Sequence, residues 1–268
     1  MLGLNRPTPF ATEIVQAINP VATIDTKHGP LHCRAGHGRL LWRAKTFHTE
    51  EPGTIAWLDE LKPSDVLYDI GANVGLYAIY AAKFLRCKVF AFEPEAQNYA
   101  LLLQNISLNE LERRCLPANL AVAGTTAMGN LRVRYLTKGG AYNLFRVGDE
   151  PIPESVKAAF NYDEGFDQLM LGVSLDDLIG KYRLPRPTHL KIDVDGIEPE
   201  IIASGLETLK TARSVLIELN FKSAADRAVV KRLINLGFNV KSKRSIWESK
   251  GDKAAADQMP AYNMIFER

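Results

Sequence analysis

Two short stretches hold the residues whose types and spacing can do chemistry. The first is Asp69-Ile70-Gly71-Ala72-Asn73-Val74-Gly75-Leu76, with Glu93-Pro94 downstream of it. Gly71 lets the chain turn tightly off an apolar run, and Gly75 omits the Cβ where a ligand is expected to approach the start of the next helix. Asp69 and Glu93 put two carboxylates beside this loop, one suited to a cation and the other to the paired hydroxyls of a ribose. The second stretch is Lys191-Ile192-Asp193-Val194-Asp195-Gly196. Period two puts Lys191, Asp193 and Asp195 on one side of an extended chain. A carboxylate beside an ammonium can take a proton from a substrate hydroxyl there, with Asp193 as the base, Lys191 as its helper and Asp195 as a further acid. The competing reading of Lys191 and Asp193 is a buried ion pair, because pairing is how buried charges survive.

The elements that must position these groups follow from the change of hydrophobic period. Residues 66–70 read as a strand, 76–85 as a helix and 88–92 as a second strand that ends in Glu93. A dinucleotide fingerprint needs a third glycine where this chain has Leu76. The loop therefore suits a ligand without a pyrophosphate that carries an ammonium and a sulfonium, as S-adenosylmethionine does. Its expected contacts are Asp69, Gly71, Ala72, Asn73, Gly75, Leu76, Glu93, Pro94 and Asp193. Asn119, near the end of a third strand read over 116–122, is expected at the adenine. A helix over 95–105 carries Asn98 and Asn105 as plain polar positions. Residues 131–136 alternate as a strand with its arginines in solvent, and residues 173–179 read as a short strand leading into a helix capped by Ser174 and Asp177. A fourth strand enters the Lys191 stretch, a helix follows over 199–209, and a fifth strand over 214–220 carries Glu218. A helix over 224–236 stops at Gly237, and 238–240 with 262–266 form a terminal strand pair joined through a solvated loop at 241–244. Tyr142 and Asn143, after Gly139-Gly140, and Glu218 are the expected acceptor contacts.

Length and composition set bounds. A chain of 268 residues accommodates one large α/β domain over 62–268 and an N-terminal extension over 1–61 packed on it. In that extension, 11–18 read as a short helix, 21–24 and 40–42 as strand pieces, and 53–61 as an amphipathic helix. Residues 138–172 read as a lid-like insert. Four of the histidines, His28, His32, His37 and His48, lie in the extension; His28 and His32 are four apart, but Gly29-Pro30 between them reads as a turn rather than a helix, and no metal site is assigned. Three cysteines at unrelated spacings suit a reducing cytoplasm. A net charge of +2 leaves no footprint for nucleic acid, and no apolar run suits a membrane. The expected partner is a small molecule or a glycan, and a homodimer is compatible with the chain.

The combination of Asp69-Ile70-Gly71-Ala72-Asn73-Val74-Gly75-Leu76-Tyr77, Phe92-Glu93-Pro94, Ser174-Leu175-Asp176-Asp177-Leu178, Lys191-Ile192-Asp193-Val194-Asp195-Gly196, Glu218 and Asn263-Met264-Ile265-Phe266 resembles the FkbM-type S-adenosylmethionine-dependent methyltransferases. The resemblance covers roughly residues 50–268. It implies a Rossmann-like class I methyltransferase fold: a mostly parallel seven-stranded sheet with an antiparallel terminal strand, plus the small β-containing extension. It also implies methyl transfer to an oxygen, often a hydroxyl of a sugar or polyketide. The family usually has Glu at the place of Asp195. From the residues alone, a nicotinamide oxidoreductase on a related fold and a non-catalytic ligand-binding scaffold stay open as alternatives.

Overall fold

The computed structural model describes residues 19–134, 136–148, 165–245 and 261–268. The helix expected over 11–18 and the middle of the expected lid, 149–164, lie outside the described residues. The chain begins with a hairpin of β1 (Val21–Thr26) and β2 (Gly29–Arg34), then α1 (Gly38–Glu50) and α2 (Pro52–Leu58). Residues 40–42, expected as a strand, belong to α1 instead. The His37 side chain accepts the Arg39 backbone N–H and starts the helix, and Leu40, Ala44 and Phe47 recur at helical spacing on its buried side. Histidine is an uncommon cap, so the Gly36-His37-Gly38 run reads as a turn.

The core alternates strand and helix. β3 (Val66–Ile70) leads into α3 (Leu76–Tyr80), which ends in a π-helical turn over Ala81–Leu85, and β4 (Lys88–Phe92) leads into α4 (Ala96–Leu108) and β5 (Cys115–Ala118). Further on come β10 (His189–Ile192), the short helices α6 (Glu198–Ala203) and α7 (Leu206–Leu209), β11 (Ser214–Asn220), α8 (Ala224–Asn235), β12 (Asn239–Ser245) and β13 (Ala261–Glu267). Together they form a seven-stranded sheet in the order β12-β13-β11-β10-β3-β4-β5. β13 alone runs against its neighbours β11 and β12. This is the Rossmann-like class I methyltransferase arrangement, and its strand order reverses between β10 and β3, the switch point where open α/β sheets bind ligands. The helix expected over 199–209 breaks at Ser204-Gly205, where a Cβ on Gly205 would lie 2.4 Å from Leu175 Cδ2. Residues 241–244 are strand, not loop. They lie on edge strand β12, where lysines discourage pairing with another chain, so a charged run and a strand coincide.

A second, four-stranded sheet was not expected. It is built in the order β6-β9-β7-β8 from β6 (Ala121–Ala123), β7 (Ala127–Val133), β8 (Leu144–Arg146) and β9 (Phe166–Ser174), with α5 (Leu175–Gly180) following. The single strand expected over 116–122 divides at Asn119, whose Nδ2 donates to Glu93 O at 2.9 Å and Pro94 O at 3.0 Å. β5 then stays with the main sheet, while β6 pairs with β9. Residues 166–172, expected within the irregular insert, are ordinary strand. Arg132 is not merely solvated: its Nη1 lies 3.4 Å from Asp167 Oδ1 across the β7–β9 ladder. Ser174 caps α5 as expected, accepting the Asp177 backbone N–H.

Asn98 and Asn105 are buried braces rather than plain polar positions. Asn105 accepts the Arg34 N–H and donates to Val74 O, which ties β2 to the glycine loop. On the other flank, Trp57 Nε1 donates to Ser214 Oγ at 2.9 Å, which docks α2 on β11. No described helix is long and apolar enough to cross a membrane.

Candidate active site

Strand register assembles the charged centre. Lys191 on β10 pairs directly with Asp69 on β3, so both side chains leave the same face of the sheet. Lys191 Nζ lies 2.6 Å from Asp193 Oδ2 and 3.8 Å from Asp69 Oδ1, and 5.3 Å from the centre of the Tyr77 ring. Lys191 and Asp69 are 2% and 1% exposed, whereas Asp193 is 31% exposed. Burial would lower the Lys191 ammonium, but Asp193, Asp69 and Glu51 outweigh it and hold the pKa above its usual range. Lys191 therefore stays a cation. Burial pushes the carboxyls of Asp69, Glu51 and Glu218 up, and the neighbouring Asp193 charge adds to the shift in each. Four carboxyl groups thus surround one ammonium.

Glu51 and Tyr77 belong to this centre and were not among the expected site residues. Glu51 joins α1 to α2, and its Oε2 accepts the Thr54 hydroxyl at 2.8 Å. Tyr77 is held neutral by burial first and then by Glu51 and Asp193. Its place one residue after Leu76 was a usable signal. Glu51 had none, because only tertiary packing brings a helix junction over the rim of the sheet.

The glycine loop is shaped by packing more than by ligand approach. Gly71 has φ +83°, and a Cβ there would lie 1.9 Å from Asp193 O, so its absence lets the loop touch the fourth strand. Gly75 has φ +85°, and a Cβ would lie 2.3 Å from Leu102 Cδ1. That corrects the expectation that Gly75 clears space for the ligand; it clears space for α4. Gly75→Ala is expected to destabilise the fold by about 2–4 kcal/mol through left-handed strain and overpacking. Thermal denaturation checks this as a fall of several degrees in Tm, and an unchanged Tm would contradict it. Leu76 packs inward beside Leu40, Val74 and Leu101. Ala72 is buried, with its N–H donating to Phe92 O.

Glu93 stands at the C-terminal end of β4, 4% exposed. Its Oε2 accepts the Asn73 N–H at 2.7 Å and its Oε1 the Glu95 N–H at 2.9 Å. Burial pushes its carboxyl up to about 7, although both backbone donors favour the charged form. Each oxygen keeps a lone pair for a ribose hydroxyl. Affinity for S-adenosylhomocysteine is accordingly expected to rise with pH up to about 7, by at most roughly tenfold per unit, as Glu93 ionises. Stability runs the other way. From the ordinary value of 4.5 up to about 7 the folded state binds more protons at Glu93 than the unfolded state, so its contribution is lost as pH rises through that window. Calorimetric titration of wild type and Glu93→Gln across pH 5–8 checks both, since the variant should show neither slope at this site.

Beside the loop, an apolar cleft is lined by Pro94, Leu120, Val194, Ile197 and Phe145, with Asn143 at its polar end. Asn143 Oδ1 is buried without a hydrogen-bond partner, as are both carboxylate oxygens of Asp69. Asn143 was expected at the acceptor and lies instead in this cleft. Asn119 was expected at the base, but its amide hydrogens brace the end of β4 as described above. A strap over 137–143 closes this side. Gly140 O accepts Asn73 Nδ2 at 2.6 Å and Asn98 Nδ2 at 3.1 Å, and Gly139 O accepts Arg43 Nε at 3.1 Å. The Asn143 N–H donates to Asp195 Oδ2 at 2.8 Å. Burial pushes the Asp195 carboxyl up to about 7, against that donor and the Tyr142 backbone. Tyr142 itself is left-handed, with φ 70°, and 38% exposed.

These groups fit S-adenosylmethionine: orphaned carboxylate oxygens at Asp69 for a cation, a ribose acid at Glu93, and an apolar cleft with an unused acceptor for an aromatic amine. When bound, the sulfonium supplies an activated methyl group.

Comparison with known proteins agrees with this arrangement. The family model described as "Methyltransferase FkbM domain" matches residues 69–240, more than half of the chain. Hexuronic acid methyltransferase AglP of Haloferax volcanii is 24% identical over 180 residues, covering 67% of this chain and 66% of that protein. A tRNA (guanine(37)-N(1))-methyltransferase of Batrachochytrium dendrobatidis is 46% identical over 111 residues, 41% of this chain but 22% of that protein. The methyltransferase sdnD of Sordaria araneosa is 26% identical over 209 residues, covering 70% of this chain and 78% of its own. The chain thus spans just under two thirds of the first of these relatives and less than a quarter of the second. Among solved structures, Aeropyrum pernix fibrillarin with natively bound S-adenosyl-L-methionine aligns with a TM-score of 0.47 at 9% identity, covering 93% of this chain and 83% of its own. From the matched domain and the site that it encloses, the chain belongs to the FkbM methyltransferase family.

Proposed function

We propose that the methyl group goes to a hydroxyl of a small molecule or glycan, with Asp193 as the base. The observation that carries this reading is the asymmetry of the charged centre. Of the two carboxylates that share Lys191, Asp69 is 1% exposed and Asp193 is 31% exposed. Asp193 is therefore the one that an acceptor can reach. A hydroxyl oxygen becomes strongly acidic as it gains a methyl group, so a carboxylate paired with a cation is basic enough to take the proton late in the step. Lys191 fixes the Asp193 oxygen through its 2.6 Å hydrogen bond, which favours one orientation of the remaining lone pairs. Asp69, Glu93 and the cleft near Asn143 serve the cofactor, and Glu218 and Tyr142 face the acceptor side.

AglP, whose name records a hexuronic acid methyltransferase, supports a sugar-like acceptor. The tRNA methyltransferase relatives match over a minor part of their length, and the net charge of +2 gives little attraction to a polyanion. The deciding experiment supplies methyl-labelled S-adenosylmethionine with hydroxylated sugars and polyketides, their carboxylic counterparts, and bulk tRNA. Label is expected in a hydroxyl compound as an ether that survives mild base. Base-labile label would identify a carboxyl ester, and label in tRNA alone would overturn the reading.

A further inference from the structure

The polar rim of the sheet does not stop at Asp193. The Asp193 N–H donates to Ile70 O at 3.0 Å, which extends the β3–β10 ladder by one residue. With Ile192 paired to Ile217, this sets Asp193 level with Glu218. Glu218 pairs with Asn263, and Asn263 pairs with Arg244. Two residues back on these strands, Leu216 and Ile265 pack into the core cluster that includes Trp57 and Leu58 of α2. By period two, Glu218, Asn263 and Arg244 share that face. Glu51 stands over the row: burial and then the Asp193 charge push its own carboxyl up, and it adds to the upward shift of Glu218. Arg244 lies along α2, where a Cβ on Gly53 would be 3.1 Å from its Cδ and 3.5 Å from its Nε. Arg244 is exposed, and no ion pair holds it among the described residues.

We propose that this row is an elongated acceptor groove with an anion subsite at Arg244, an inference that rests on the hydroxyl-methylation reading. Neighbouring strands are about 4.8 Å apart, so three intervals separate β10 from β12 by roughly 14 Å. At the reactive end, the partly exposed Asp193 carboxylate repels an anionic group, and the carboxyls of Glu218 and Glu51 beside it offer no positive charge to hold one. At the distal end, a guanidinium offers a fork that matches a carboxylate or a phosphate. The acceptor class is then a hydroxylated molecule, neutral where it is methylated, that carries a carboxylate or phosphate on the order of 10–14 Å away. Asn263, between the two ends, donates to and accepts from intervening hydroxyls.

The test uses the full chain loaded with S-adenosylhomocysteine and three probes, trehalose, trehalose 6-phosphate and cellobionic acid, each titrated by saturation-transfer NMR. At least one anionic probe is expected to bind about tenfold or more tighter than trehalose, and the tighter of the two identifies phosphate or carboxylate as the preferred source. Arg244→Gln should bring that probe within about twofold of trehalose, Arg244→Lys should keep part of the difference, and Asn263→Ala should weaken all three probes by several-fold. Equal binding of neutral and anionic probes, no binding of any, or a preference that survives Arg244→Gln overturns the groove. S-adenosylhomocysteine affinity and Asp193-dependent labelling of a neutral hydroxyl acceptor report on the hydroxyl-methylation reading separately. If both persist without an anion preference, the groove alone fails.

Discussion

Asp193→Asn is expected to lower methyl transfer by about 100-fold to 10,000-fold, the usual effect of removing a general base. The substitution keeps the shape of the side chain and takes away the lone pair that receives the proton. Affinity for S-adenosylhomocysteine should change little, because Asp69 and Glu93 are untouched. A purely structural ion pair makes the opposite forecast, with a loss of stability first. That loss is limited here. Lys191 keeps Asp69 at 3.8 Å, and the asparagine oxygen can still accept from Nζ. Melting and turnover measured on one preparation separate the cases: an intact Tm with a large drop in rate assigns the base. A folded, cofactor-binding variant with near-normal turnover would move the base to Asp195, whose carboxyl lies up near 7.

Lys191→Met should have the largest effect on stability. Lys191 is a 2% exposed cation among Asp69, Asp193 and Glu51, and Asp69 has neither of its oxygens in a hydrogen bond. Without the ammonium, Asp69 would be a buried charge with no counterion. Removing one partner of such a pair costs about 3–5 kcal/mol. The sign of the pH dependence follows. Asp69 already sits above its ordinary value because of burial, with Lys191 as the opposing influence. Loss of that influence raises it further, so the folded variant holds a proton that the unfolded chain releases above 3.8. Its stability then falls as pH rises. Thermal denaturation should show a larger deficit relative to wild type at pH 8 than at pH 5, and adding Asp69→Asn should recover part of it at pH 8. A Tm within a degree or two of wild type at both pH values would show that the cluster is not held by Lys191.

The glycine loop, the acid after β4 and the Lys191–Asp193 pair were legible because each depends on residues a few positions apart. A strand puts every second residue on one face, a left-handed turn selects glycine, and an apolar run fixes where a strand ends. Ser174, Gly237 and the bounds of β11 were readable on the same grounds, since caps and strand runs are local. Contacts between distant segments were not. Gly75 meets Leu102, Glu51 meets Asp193 and Glu218, Asn98 holds Gly139 and Gly140, and β6 leaves one sheet for another at Asn119. Residue type and spacing leave such partners open, because a buried asparagine or an exposed one has the same local pattern and only packing decides which carbonyl it finds. The sequence by itself determined that a glycine loop and an acid–lysine pair lie at the ends of neighbouring strands. The tertiary structure alone decided that Glu51 and Tyr77 close over them, that Asp193 rather than Asp69 keeps access to solvent, and that the polar row runs on to Arg244, because strand order and register set which side chains share an edge.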